Sequence, residues 1–254
     1  MIVKKVLAVI QVLLILVFLA CGGYIGKYFY DAHQAQDEYT ELRQIVAETQ
    51  QDDASDGYTD KRAENGMLEK YYELYKTNNH MTGWIKIDNT KIDYPVVQYT
   101  DNEYYLHKDF YNKYQYSGIP FLDYQSKDTM NDIIYAHNMK DGSMFATLAD
   151  YEKKEFYEEH KMIRYDTLYD AGKYDVMAVF TTKVGSKNEF KYHEYADITT
   201  KERFNEYVNK AKSLSKYDTG ITAEFGDKLI TLSTCAYHTS NERIVVIAKK
   251  RKNT

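Results

Sequence analysis

Residues 228–250 read KLITLSTCAYHTSNERIVVIAKK. Two apolar, β-branched runs flank a polar interval, which predicts two strands joined by a loop of modest length. Strands joined so closely pair antiparallel. Cys235 then ends the first strand and Arg243 begins the second, on backbones about 4.8 Å apart. A guanidinium therefore falls beside a thiol. Side-chain alternation puts Ser233 on the same face as Cys235, and Ser233 and Thr234 are the candidate substrate-binding residues next to that thiol.

Short apolar runs of the same kind recur upstream, at residues 82–87, 91–97, 118–123, 132–137, 162–167 and 173–182. With the first two they make eight strands, enough for a closed or nearly closed β-barrel. Helical periodicity interrupts them at residues 65–80, where Leu68, Tyr71, Tyr72 and Tyr75 form one face, and again at about 144–158 and 200–214. The fold class is mostly β with added helices on the outside of the barrel. Tyrosine is abundant, at 27 residues, and reads as aromatic packing in strands and on the surface, with a few available to line a peptide groove.

The chain has 254 residues and a formal net charge of −5. That balance carries no basic footprint for nucleic acid. Residues 6–26 contain no charge, and as a helix they span roughly 30 Å, the thickness of a bilayer core. Lys4 and Lys5 precede the run, so the positive-inside rule places the N-terminus in the cytoplasm and the rest outside. A cleaved signal peptide or a lipidated Cys21 are the competing readings, and neither finds a good processing site in FLACGG. Residues 1–27 are thus expected to be a transmembrane anchor. Residues 28–64 are polar and form a stalk, with a helical spacing of Tyr39, Leu42, Ile45 and Val46 broken by a turn in QQDDASDGYTD. Residues 65–254 form the globular domain.

Only Cys21 and Cys235 occur. Cys235 is therefore a lone thiol in an exported domain, where an unpaired cysteine is a liability unless it is buried and inert or has a task. A nucleophilic thiol needs a proton acceptor and a donor for the developing oxyanion. Arg243 can be the donor but stays protonated, so a histidine is required. His33 is in the stalk. His80, His107, His160 and His193 sit in polar, loop-like or helix-end contexts, and His238 lies in the loop after Cys235. His137 ends the apolar run DIIYAH, the same strand-end placement as Cys235. A strand-end histidine alone is more often structural. Beside a lone Cys and an Arg at other strand ends, His137 is the candidate acid–base residue.

These residues match a known family. TLSTC followed by an Arg, IIYAHNMKDGSMF (133–145), GIPFLDY (118–124) and WIKIDNTKIDYPVVQYTDNEYYLHKDF (84–110) resemble the class B sortases, over residues 84–250. The resemblance implies an eight-stranded barrel with N-terminal helices and a long helix before a late strand. It maps the family's catalytic His, Cys and Arg onto His137, Cys235 and Arg243. It implies transpeptidation: the thiolate attacks a threonine carbonyl of a sorting signal, a thioester forms, and a peptidoglycan amine takes the acyl group. The partners implied are surface proteins with a signal of the type Asn/Ser-Pro-x-Thr-Gly/Asn, a cell-wall amine, and the membrane through the anchor. Two positions depart from the family pattern, Ala136 where Gly is expected and Ala236 where an acidic or polar residue is common. No cofactor or metal is expected, since Asp123, Asp128 and Asp132 read as solvated loop charges rather than a calcium site. A membrane-tethered cysteine protease and a non-catalytic binding module are the rival readings.

Overall fold

The computed structural model describes residues 2–50, 61–127, 129–187, 189–235 and 241–252. Asp128, Ala236, His238 and most of the turn expected in QQDDASDGYTD lie outside the described residues. The chain divides into two compact units, residues 1–40 and 41–254. The first consists of the greater part of a helix, α1 (Ile2–Gln50). Its apolar side chains from Val3 to Leu19 are exposed all round, and its polar part carries the i,i+4 pair Lys27–Asp31.

The second unit is a closed barrel of eight strands: β1 (Met81–Lys86), β2 (Asp93–Val97), β3 (Phe121–Leu122), β4 (Asn131–His137), β5 (Met162–Thr167), β6 (Lys173–Lys183), β7 (Leu229–Cys235) and β8 (Glu242–Lys250). They close in the order β1-β2-β3-β4-β7-β8-β6-β5. All eight expected strands are present. Pairing is antiparallel except β2–β3 and β4–β7, which are parallel. β4 and β7 are buried on both faces: Ile133, Ile134, Thr231, Leu232 and Ser233 are all fully enclosed. Strands covered on both sides must be apolar nearly throughout, and that is why DIIYAH and LITLST read as continuous runs.

Among the described residues, three α-helices besides α1 dress the barrel. In α2 (Glu69–Thr77) the buried face is Lys70, Tyr71 and Leu74, a correction to the expected face, since Tyr72 and Tyr75 are only half-buried. The reason is Asp166 of β5, whose carboxylate draws in Lys70 Nζ at 2.7 Å and Tyr71 Oη at 2.8 Å. The helix expected near 144–158 is two pieces, a 3₁₀ helix (Ala146–Glu152) and α3 (Lys154–Glu159), because Lys153 between them is extended. In α4 (Lys201–Leu214) Thr200 caps the N-terminus by accepting from the Arg203 amide, and Phe204, Tyr207, Val208 and Ala211 are buried at i, i+3, i+4 and i+7. Tyr207 Oη meets Thr231 Oγ1 at 2.6 Å, which seats α4 on β7. Tyrosines are core residues more than the sequence suggested. Tyr71, Tyr94, Tyr105, Tyr151, Tyr165 and Tyr207 are fully buried, and a buried phenol is tolerated where its hydroxyl finds a partner.

Candidate active site

β4 and β7 run parallel, and their register pairs Tyr135 with Ser233, Ala136 with Thr234 and His137 with Cys235. Across the other edge of β7 the antiparallel register pairs Ser233 with Val245. That ladder ends there; Arg243 lies two residues before Val245 in β8 and pairs with Thr182 of β6. The ends of three adjacent strands thus carry His137, Cys235 and Arg243, with His137 and Cys235 paired directly. The antiparallel β7–β8 pairing could be read from residues 228–250. The β4–β7 pairing could not, because a parallel pairing across nearly a hundred residues leaves no local signature.

His137 is almost buried, at 7% exposure. Its Nε2 lies 2.9 Å from the Leu106 carbonyl oxygen. A carbonyl only accepts, so Nε2 carries a proton and donates, and proton exchange with a substrate falls to Nδ1. Leu106 belongs to a 3₁₀ turn, Tyr104–His107. The next residue, His107, stacks its ring on His137 with centroids 5.4 Å apart and planes 24° apart. Burial holds the His137 pKa below its ordinary value; the Leu106 hydrogen bond opposes this and His107 adds to it. Leu106 did not stand out in the sequence, where YYLHKDF shows no strand or helix period, and His107 was set aside there as loop-like.

Arg243 is half-buried at the start of β8, with Nη1 donating to the Thr234 carbonyl at 3.4 Å. Thr234 Oγ1 in turn accepts from the Ile244 amide at 3.3 Å. Ser233 is fully buried, and its Oγ meets Tyr192 Oη at 2.6 Å. Both hydroxyls are thus engaged within the protein. Asp123 is a correction to the sequence reading. It is buried, at 2% exposure, and accepts from Tyr135 Oη at 2.9 Å, Asn102 Nδ2 at 2.9 Å and the Gln125 amide at 2.9 Å. Three donors compensate a carboxylate that leaves water, so it is a bracing group and not a solvated charge. Burial, and then the neighbouring Asp123, push the Tyr135 phenol far up, which keeps it a donor. Asp132 lies within β4, and among the described residues no cluster of His, Cys, Asp and Glu could hold a metal ion.

A family model of the sortase domain matches residues 85–251. Sortase B of Listeria monocytogenes is 36% identical over 226 residues, covering 86% of this chain and 85% of that one. The chain belongs to the sortase family, class B. Sortase B of Staphylococcus aureus is 29% identical over 251 residues, 97% of each chain. Among solved structures, a Staphylococcus aureus sortase B–substrate complex superposes with a TM-score of 0.77 at 28% identity, covering 89% of this chain and 100% of the other. The likeness therefore extends over the barrel and its helices together. This sortase is a cysteine transpeptidase that anchors surface proteins to the cell wall, and its apolar N-terminal helix fits a membrane tether.

Proposed function

We propose that Cys235 is the nucleophile of this sortase, His137 its acid–base residue and Arg243 its oxyanion or substrate donor. The observation that carries this reading is the register: three strand ends, adjacent in the barrel, each deliver one of the three chemistries an acyl transfer needs. The Cys235 thiolate attacks the carbonyl carbon of the threonine of the sorting signal, and a C–S bond forms. The C–N bond then breaks, and the leaving amine takes a proton from His137. A cell-wall amine attacks the thioester, gives its proton to His137, and displaces the thiolate. Arg243 faces the carbonyl oxygen while it carries negative charge. Ser233 and Thr234 serve the bound peptide through what they hold, Tyr192 in one case and the Arg243 guanidinium in the other.

The donor peptide is a C-terminal sorting signal of the Asn/Ser-Pro-x-Thr-Gly/Asn type, and the acceptor is a peptidoglycan amine. The sortase B of Staphylococcus aureus that superposes on this chain is a substrate complex. Residues 1–27 cross the membrane once with the N-terminus in the cytoplasm, residues 28–64 form the stalk, and residues 65–254 work outside the cell. The test is mass spectrometry of the enzyme mixed with a sorting peptide and a glycine-based amine. A thioester adduct on Cys235 and an amine-ligated product are expected, and Cys235→Ala should yield neither. Turnover by Cys235→Ala, or hydrolysis unaffected by the amine, would sink the reading.

A further inference from the structure

We propose that His107 is a positioning residue for His137: its ring is one wall of a slot that fixes the plane in which His137 exchanges its proton. This rests on the reading of His137 as the acid–base residue. The slot has two parts, supplied by consecutive residues. The Leu106 carbonyl holds Nε2 at 2.9 Å, which fixes one edge of the ring but not its plane. The His107 ring, stacked at 5.4 Å and 24°, fixes the plane.

The wall is itself fixed. His107 Nδ1 donates to the Tyr116 carbonyl at 2.9 Å, and the His107 carbonyl accepts from the Gln115 amide at 3.0 Å. The Tyr116 ring lies nearly parallel to His107, at 6.0 Å and 18°, and Tyr114 tilts towards it at 6.2 Å. The imidazole is thus held by one bond to a backbone carbonyl and flanked by two tyrosine rings, while a second bond holds its own main chain. The segment that holds it is tightly turned, with Asn112 at φ +64° and a bridge between Lys108 and Tyr114. Leu106, His107 and Tyr116 thus form one rim whose effect falls on His137.

The arrangement is also electrostatic. The rings against His107 are those of His137, Tyr114 and Tyr116, the last two from the segment after the 3₁₀ turn, and His137 is in register with Cys235 of β7. The Lys108 ammonium turns away, over the Tyr104 ring at 4.7 Å. A charge on His107 sits against the face of His137 and disfavours its protonated form. A neutral aromatic ring in the same place keeps the wall and drops the repulsion. Two replacements therefore separate geometry from charge.

The experiment compares His107→Ala, His107→Phe and His137→Ala, measuring kcat and KM for peptide cleavage across pH, with melting curves. Small misplacements of a catalytic group cost up to about 100-fold, and loss of one wall with the hydrogen bond kept is expected to lower kcat about 10-fold. KM should hold within about two-fold, because no contact to the peptide is removed. His107→Phe should recover most of that loss. In both variants the limb of the pH profile that reports His137 should move to higher pH, since the neighbouring imidazole that lowers the His137 pKa has gone. A His107→Ala enzyme with wild-type kcat and an unmoved limb would overturn the inference, as would a His107→Phe enzyme no better than His107→Ala. Turnover by His137→Ala would instead overturn the reading of the site itself. If His107→Ala melts early, the position of the His137 limb in His107→Phe still decides the matter.

Discussion

Arg243 shows how much of the site one residue's neighbourhood can carry. Its guanidinium donates to the carbonyl of Thr234, the residue before the cysteine, so the β7 backbone sets its position. Lysine keeps the charge and loses the planar fork, and the two are not interchangeable where a fork must hold one carbonyl while facing another. Removing one oxyanion donor costs on the order of 100- to 1000-fold in turnover. Arg243→Lys and Arg243→Ala should both fold and both lose turnover by about that factor, as read by peptide-cleavage kinetics beside a melting curve. Near wild-type rates in either would make Arg243 a strand residue and nothing more. At this scale the sequence was informative where chemistry and strand pattern coincide: a lone Cys, a His and an Arg, each at the end of an apolar run. It was silent on Leu106, whose contribution is a backbone carbonyl, and passed over His107 as a loop histidine, since its proposed effect on His137 acts across 30 residues of chain. It misread Asp123, because a carboxylate among polar neighbours looks solvated until its three donors are seen.

The strands were legible because β-branched and aromatic residues cluster in short runs between turn residues. Their order round the barrel was not, since β4 joins β7 and β6 joins β8 by long-range pairing. One glycine links the element scale to the chemistry. Gly118 adopts φ +55°, and a Cβ there would lie 2.4 Å from the Leu106 carbonyl oxygen and 2.6 Å from that of Tyr105. The Leu106 oxygen is the one that receives His137 Nε2. An alanine at 118 must therefore do two things. It adopts a left-handed conformation at a cost of about 1–3 kcal/mol, and it pushes aside the turn that holds His137. Gly220 provides the contrast, with φ +73° and open space where its Cβ would go. Gly118→Ala should lower both the melting temperature and kcat, whereas Gly220→Ala should lower the melting temperature alone. Equal turnover in the two variants would show that the Leu106 carbonyl does not need its place.

For the whole molecule, the deciding quantity is the apolar surface of the N-terminal helix. Thirteen Val, Leu, Ile and Phe side chains between Val3 and Leu19 are exposed, each by 46% or more. Leaving such a side chain in water rather than burying it costs about 1.5–3 kcal/mol, so the set costs on the order of 20–40 kcal/mol. Native domains are stable by about 5–15 kcal/mol. A helix with that face has to leave water, and a bilayer about 30 Å thick accommodates its length. The same segment was plain in the sequence, because an uncharged run of this length needs no tertiary context to be recognised. The barrel, in contrast, encloses its own core from β1 to β8 and holds all three candidate catalytic residues, so chemistry and attachment separate along the chain. Deleting residues 2–27 should give a water-soluble enzyme that cleaves a sorting peptide with kcat within about two-fold of full length. In cells the deletion should cut anchoring of surface proteins sharply, because an enzyme no longer confined beside its membrane-held substrates loses effective concentration. The full-length protein should stay in the membrane fraction after alkaline washing, with its apolar segment still attached. A mature chain that begins at a lipidated Cys21, or a deletion that anchors surface proteins as well as full length, would refute a transmembrane tether.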